Sequence, residues 1–166
     1  MILVVSATTG NNLNLAKKLN EELQSQGAET QLIDLESFEL PVYTPTGEKN
    51  GIPPKAKEIT DLFSKASGYV FCAPEYNGSL PPILNNAIAW ISRSGDENWR
   101  AAFNDKVAVV GTHSGSGGVH VTNAMRSQLQ YLGCHVLARP VITHYKKELN
   151  PESAKTIMGQ LIKYSK

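Results

Sequence analysis

Apolar runs rich in β-branched residues alternate with helix-length segments along this chain, and few folds accommodate such an order. The runs cover residues 2–5, 30–35, 69–73, 107–111 and 135–141, and each is typical of a β-strand. The first, third and fourth runs are apolar at nearly every position, as in strands that helices cover on both faces. The pattern therefore predicts a parallel β-sheet whose neighbouring strands are joined by helical crossovers.

The segments between these runs carry helix start and stop signals. The predicted helices cover residues 12–26, 54–67, 82–94, 118–132 and 151–164. Prolines open the second, third and fifth of them, and a glycine follows the first, third and fourth. The alternation predicts an α/β fold, a doubly wound five-stranded parallel sheet in the order 2-1-3-4-5 with helices on both faces. In such a fold the ligand lies at the carboxyl ends of the strands, where the first and third strands diverge.

Length and composition predict one domain over residues 1–166. The chain is 41% hydrophobic and 19% charged, with a mean hydropathy of -0.24, so it can bury a core without disulfides or structural metals. The N-terminal residues Met-Ile-Leu-Val-Val-Ser lack the basic region and cleavage site of a signal peptide, and we expect a cytoplasmic protein. Residues 39–53 contain three prolines and two glycines, which predicts a long irregular connection that is either a rim of the active site or a subunit contact.

Charge and cysteine usage narrow the classes of partner. The formal net charge is +1 and both signs are scattered along the chain, so we expect neither a nucleic acid nor a membrane as partner, but a small organic ligand. Cys72 and Cys134 lie in apolar segments, which favours two buried hydrophobic side chains over a disulfide or a metal site. No metal is predicted, and His120, His135 and His144 follow no ligand spacing.

Residues 6–12, called loop 1, leave the first strand and enter the first helix. Backbone N–H groups and the positive end of the helix dipole converge there, which makes an anion site. The loop contains no lysine or arginine, so neutral donors would meet the charge, as suits a terminal monophosphate rather than a magnesium-bound triphosphate. The alternative is a turn followed by an asparagine-capped helix. The candidate ligand-binding residues are Ser6, Thr8, Thr9, Gly10, Asn11 and Asn12.

Two more loops follow the third and fourth strands. Loop 2, residues 73–82, contains three prolines and predicts a rigid turn, the alternative being a surface turn anchored by Tyr76. Loop 3, residues 111–118, contains four glycines, which let the backbone approach a flat ligand. The candidate ligand-binding residues are Pro74, Glu75, Tyr76, Asn77 and Gly78 in loop 2, and Thr112, His113, Ser114, Gly115 and Gly118 in loop 3.

All three loops resemble motifs of known flavoproteins. Loop 1 resembles the Ser/Thr-x-Thr-Gly-Asn-Thr phosphate loop of flavodoxins, with Asn12 at the position of the last threonine. Loop 2 reads Pro-Glu-Tyr-Asn-Gly-Ser-Leu-Pro-Pro and, with the helix after it, resembles the signature of the NADPH-dependent FMN reductase family. Loop 3 is similar to the Ser-x-Gly-x-x-Gly-Gly turn of that family. The sequence departs from the family at Asn85 and Ala89, where lysine and aspartate are usual, and we expect both to face solvent or another subunit.

The resemblance implies a flavodoxin-like fold in which the three loops bind FMN. It implies an NAD(P)H-dependent FMN reductase-like oxidoreductase, with NADPH or NADH as donor and a small acceptor such as free flavin, a quinone, an azo compound or chromate. No catalytic side chain is implied because the flavin carries the chemistry, although His113 is a candidate for proton transfer. The resemblance also implies a homodimer or homotetramer, and Trp90, Trp99 and residues 39–53 are candidate contacts.

Two other functions stay open from the sequence. A flavodoxin-type electron carrier would share loop 1, but carriers use an acidic surface, and the net charge of +1 and pI of about 7.8 argue against one. The second alternative is an anion-binding module without flavin. In that case the resemblance of loop 2 to the reductase signature would be residual. The choice between NADH and NADPH is also open, because Arg93, Arg100 and Arg126 could contact a nucleotide phosphate but equally suit ordinary solvated positions.

Overall fold

A computed structural model describes residues 1–95, 98–115 and 117–166, so Ser116 of loop 3 lies outside the described residues. All strand pairings within the sheet are parallel and follow the order β2-β1-β3-β4-β5, with β6 also pairing with β4. The predicted doubly wound α/β class and strand order are confirmed. The strands are β1 (Ile2–Ser6), β2 (Thr30–Asp34), β3 (Gly68–Cys72), β4 (Val107–His113), β5 (His135–Val136) and β6 (Val141–Thr143).

The last predicted strand, residues 135–141, is wrong as a single strand. β5 pairs with the first two residues of β4, and β6 pairs with its last three. Pro140 lies in the gap and has no N–H to donate to the sheet. Where β5 ends and the gap begins, the Arg126 guanidinium donates to the carbonyls of Val136, Leu137 and Ala138, at 2.9–3.2 Å. The sheet therefore has six strands, and Arg126 stabilises the break between the last two.

The helices agree closely with the sequence pattern. Every predicted helix is present, with ends shifted by at most two residues. Residues 39–53 are not wholly irregular, because Pro45 opens a one-turn helix that Thr44 caps by accepting from the Gly47 N–H. The helices are α1 (Asn11–Ser25), α2 (Pro45–Lys49), α3 (Pro54–Lys65), α4 (Pro82–Ser94), α5 (Val119–Tyr131) and α6 (Pro151–Tyr164), and a 3-10 helix covers Leu35–Phe38.

The sheet has a hydrophobic core on each face. Alternate residues of β1 point to opposite sides, so Leu3 and Val5 pack with α3, α4 and α5, whereas Ile2 and Val4 pack with α1 and α6. This two-sided burial explains why the strand sequences are continuously apolar. Among the described helices, none has the length and apolar character needed to cross a membrane.

The segment after the 3-10 helix is fixed to α4. The Asn86 side chain accepts from the Tyr43 N–H at 2.8 Å and donates to the Pro41 carbonyl at 3.0 Å. The Trp90 indole also donates to the Pro41 carbonyl, at 2.7 Å, and its side chain is only 1% exposed. Trp90 is therefore an internal anchor, and its assignment as a candidate subunit contact is wrong.

Candidate active site

The loops that follow β1, β3, β4 and β6 meet at the carboxyl edge of the sheet. They surround a cleft of about 300 Å³ that contains most of the residues predicted to bind the ligand. Of the remaining candidates, Ser6, Thr112 and Gly118 are buried, and Gly10, Asn77 and Gly78 are exposed at turns. The cleft is lined by Thr8, Thr9, Asn11, Asn12, Pro74, Glu75, Tyr76, His113, Ser114, Gly115 and Tyr145.

Loop 1 presents the start of α1 to the cleft. The helix begins after Gly10, whose φ is +79°, and no side chain of the described residues caps it. The alternative of an asparagine-capped helix is therefore wrong, and the first N–H groups of α1 are directed at the loop without a capping side chain. The buried Ser6 hydroxyl holds the turn by donating to the Thr8 carbonyl at 2.7 Å. An uncapped helix end, with the hydroxyls of Thr8 and Thr9 beside it, suits a phosphate group bound by neutral donors.

A carboxylate already contacts this loop. Glu36, in the 3-10 helix after β2, accepts from the Thr9 backbone N–H at 3.0 Å and lies 3.3–3.4 Å from the Thr9 hydroxyl. In this contact a carboxylate accepts from neutral donors of loop 1. Glu36 was missed from the sequence, although β2 lies next to β1 in the sheet and the loops that follow these strands therefore share an edge.

Asn12 connects loop 1 to loop 3. Its side-chain amide donates to the His113 carbonyl at 3.0 Å and accepts from the His113 N–H at 2.9 Å. Asn12 is buried, and both bonds are partly shielded from water. The residue at which loop 1 departs from the flavodoxin motif therefore fixes the distance between two walls of the cleft.

Loop 2 is a tight hairpin held against α5. Tyr76 and Ser79 exchange two backbone hydrogen bonds across Asn77 and Gly78, whose φ values are +52° and +71°. Positive φ at both central positions defines a type I′ turn, for which Asn-Gly is the preferred pair. The Glu75 carboxylate accepts from the Val121 N–H at 3.1 Å, in the first turn of α5. The turn leaves the Tyr76 ring 49% exposed at the mouth of the cleft.

Loop 3 is shaped by contacts behind the cleft. The Thr112 hydroxyl donates to the Ala73 carbonyl at 2.7 Å, which ties β4 to the start of loop 2. Gly118 has a φ of +70°, and a Cβ atom there would lie 2.3 Å from Cγ2 of Thr112. Thr112 and Gly118 therefore act through packing, and Ser114 and Gly115 present the loop to the cleft.

His113 has one ring nitrogen fixed and one without a partner. The Thr143 hydroxyl donates to the Thr112 carbonyl at 3.2 Å, so its oxygen accepts from Nδ1–H of His113, 3.1 Å away. Nε2 is then the unprotonated nitrogen; it is buried and has no partner among the described residues. The ring meets Tyr145 edge to face at 5.2 Å. His113 can accept a hydrogen bond from a ligand hydroxyl or N–H group in the cleft.

A second cavity adjoins the first across Asn11, His113 and Tyr145, which line both. It measures about 310 Å³ and lies between α1 and the turn at residues 144–147. Two backbone hydrogen bonds between His144 and Lys147 close this turn. Lys18 and Lys147 line the cavity beside a single carboxylate, that of Glu148, and give it a basic character. The sequence pattern missed this turn because it follows β6, the unexpected strand.

Other chemical groups lie away from the cleft. Arg126 stabilises the gap between β5 and β6, and the Arg100 guanidinium packs against the rings of Trp99 and Tyr131, so both arginines take part in structural contacts. Burial raises the pKa of both cysteine thiols, Cys72 and Cys134, to about 12, so they are protonated at neutral pH. The described residues contain no cluster of three metal-ligating side chains.

Comparison with known proteins gives a consistent result. The family model of NADPH-dependent FMN reductase matches residues 1–147. An NADPH azoreductase from Bacillus sp. is 29% identical over 139 residues, 81% of this chain and 74% of that protein. The quinone reductase of Escherichia coli is 30% identical over 105 residues, and the match spans 61% of this chain and about half, 54%, of that protein. A flavoenzyme NAD(P)H:(acceptor) oxidoreductase from Paracoccus denitrificans has the same fold, with a TM-score of 0.76 at 20% identity over 99% of this chain and 94% of that chain.

Proposed function

Since this chain belongs to the NADPH-dependent FMN reductase family and is an NAD(P)H-dependent oxidoreductase with FMN as its cofactor, we propose that FMN lies in the cleft between loops 1, 2 and 3. The observation that carries the proposal is the convergence of these loops, joined by the hydrogen bonds between Asn12 and His113. When bound, FMN supplies the redox chemistry by taking a hydride from the nicotinamide and passing electrons to a small acceptor. The chain supplies binding and orientation.

Loop 1 holds the phosphate of FMN in this proposal. The first N–H groups of α1, the hydroxyls of Thr8 and Thr9, and the Asn11 side chain are its donors. Loops 2 and 3 border the flavin ring through Tyr76, Ser114 and Gly115. Nε2 of His113, which has no partner among the residues that the structure describes, accepts from a ribityl hydroxyl and so orients the ribityl chain between phosphate and ring. His113 is in this role a positioning residue.

The second cavity suits the anionic part of the nucleotide donor. Lys18 and Lys147 line a space next to the flavin cleft, and a cationic space favours the phosphates of a dinucleotide. The 2′-phosphate of NADPH adds two negative charges to those of NADH, so this cavity favours NADPH.

The acceptor is a small molecule. We propose a planar electron acceptor, a quinone or an azo compound, because the cleft is open and the exposed Tyr76 ring offers a stacking surface. The names of the azoreductase and quinone reductase relatives support these two classes. Free flavin and chromate are further acceptors implied by the family.

The proposed function also includes the assembly of the protein and its location in the cell. We propose one cytoplasmic domain over residues 1–166 that forms a homodimer or homotetramer. Trp99 and Tyr131 support an interface, since they are 39% and 68% exposed, their rings lie 6.1 Å apart, and the Arg100 guanidinium lies beside both, 4.5 and 5.1 Å from the ring centres.

Steady-state kinetics test the proposed function. Initial rates are measured with the FMN-loaded protein while NADPH and a benzoquinone are varied together, and an azo dye replaces the quinone in a second series. We expect parallel double-reciprocal lines, because donor and acceptor react in turn at one cleft. Electron transfer that occurs only after a separate reductase is added would identify a carrier and contradict the proposal.

A further inference from the structure

Glu36 occupies donors that the phosphate of FMN would use. Its carboxylate accepts from the Thr9 backbone N–H at 3.0 Å and lies within 3.4 Å of the Thr9 hydroxyl. Both Thr9 and Glu36 are exposed, and Thr9 lines the cleft. A backbone N–H donates well to one anion at a time, so the carboxylate and a phosphate cannot both use this donor fully.

The charges around loop 1 make this competition unfavourable for the ligand. Residues 6–12 contain no lysine or arginine, so no cation of the loop offsets the Glu36 carboxylate. The Asp34 side chain accepts from the Glu36 N–H at 3.1 Å and places a second carboxylate in the same 3-10 turn. A phosphate entering loop 1 therefore meets an anion already bound there, and either displaces the Glu36 side chain into water or remains beside it.

We propose that Glu36 is an internal competitor for the phosphate subsite, and that it lowers the affinity for FMN without affecting a flavin that lacks the phosphate. The inference rests on the proposed placement of the FMN phosphate in loop 1. Because the side chain is exposed, it rotates away at a modest cost, so FMN binds but exchanges more readily than it would in a loop with a neutral residue at this position. Glu36 is thus a specificity residue that acts against the phosphate.

The test compares the Glu36→Gln variant with Glu39→Gln. Glutamine keeps the length of the side chain and a carbonyl acceptor for Thr9 but removes the charge. Glu39 is exposed, follows the same 3-10 helix and has no contact with loop 1 among the described residues, so its variant makes the same charge change elsewhere. Flavin fluorescence titrations give the Kd of FMN and of riboflavin for wild type and both variants, and thermal unfolding verifies that each variant is folded.

We expect Glu36→Gln to lower the Kd of FMN about fivefold, because removing one nearby like charge is worth about that factor in water. The Kd of riboflavin should stay unchanged. Glu39→Gln should change neither constant, and added salt should reduce the difference for FMN. An FMN affinity that stays the same or weakens in Glu36→Gln, while wild type still prefers FMN to riboflavin, overturns this inference alone. Equal affinities for FMN and riboflavin in both wild type and Glu36→Gln overturn the proposed phosphate site together with it.

Discussion

The Asn12 side chain and the His113 backbone form a pair of reciprocal hydrogen bonds, at 3.0 and 2.9 Å, between residues 101 positions apart in the chain. One residue follows β1 and the other ends β4, so the pair spans β3, which lies between them in the sheet. The width of the cleft thus depends on a single buried amide.

Replacing Asn12 by alanine tests that dependence. Asn12→Ala leaves one buried N–H and one carbonyl of His113 without their partner, which should cost about 3 kcal/mol of unfolding free energy and weaken FMN binding at least tenfold. Chemical denaturation and flavin titration measure the two effects. Asn14→Ala, at an exposed position of the same helix, is the matched control and should change both by little. An Asn12→Ala protein with wild-type FMN affinity would show that the hydrogen bonds between Asn12 and His113 do not shape the FMN site.

The contact between Gly118 and Thr112 permits a double-mutant test. Gly118→Ala should destabilise by about 3 kcal/mol or more, because the new Cβ meets Cγ2 of Thr112 at 2.3 Å and φ is +70°. Thr112→Ser removes Cγ2 but keeps the hydroxyl that donates to Ala73. In the Thr112→Ser background the cost of Gly118→Ala should fall by about 1.5 kcal/mol, with the strain of positive φ remaining. If the two substitutions lower the free energy of unfolding in urea additively, the contact between the new Cβ and Thr112 is not the cause of the destabilisation.

Stability should decline at alkaline pH because of the buried thiols. The pKa of Cys72 is raised by burial from 9.0 to about 12, so above pH 9 the unfolded chain loses this proton while the folded chain keeps it. The unfolded state then binds fewer protons, and the free energy of unfolding falls by about 1.4 kcal/mol per pH unit for this group. Between pH 9 and 11, Cys72→Ala should show a shallower decline than wild type by that amount. Parallel curves for the two proteins would contradict the burial-driven shift.

The basic cavity predicts a donor preference that depends on one lysine. Lys18→Gln should raise the KM for NADPH about threefold to tenfold and leave that for NADH nearly unchanged, since only NADPH carries the 2′-phosphate. Lys17→Gln is the control, because Lys17 is exposed and lines neither cavity. Equal changes for both donors would place Lys18 beside the pyrophosphate that both carry and contradict the preference for NADPH, and no change in Lys18→Gln would place the nucleotide elsewhere.

The strand order and the five long helices could be predicted because the sequence signals for these elements are local. Proline starts, such as Pro54 and Pro82, and the apolar strands define the elements, and the handedness of crossovers then orders the sheet. The break at Pro140 was missed because Val136, Leu137 and Ala138 come shortly before it and Val141 and Ile142 follow it, so apolar residues occur on both sides. Helix α2 was missed because a single turn has almost no periodicity to detect.

The candidate site was only partly readable from the sequence. Loops 1, 2 and 3 were identified because each carries a contiguous motif. Glu36 and Tyr145 were not, because each reaches the cleft from another strand end and has no motif around it. Asn12 is predicted to bind the ligand and it lines the cleft; its hydrogen bonds to His113 could not be predicted, because only the folded sheet brings the two residues together.

The most direct test of FMN reduction in this cleft is anaerobic mixing. The protein with one equivalent of FMN is mixed with NADPH in one experiment and with NADH in another, and the visible absorbance of the flavin is followed. Free FMN and the FMN-loaded Asn12→Ala variant are measured in the same way for comparison. We expect the bound flavin to be reduced far faster than free FMN, to be reoxidised by an added quinone, and to lose this acceleration in Asn12→Ala. Flavin that is bound by wild type but reduced no faster than free FMN by either nucleotide would contradict the proposed function.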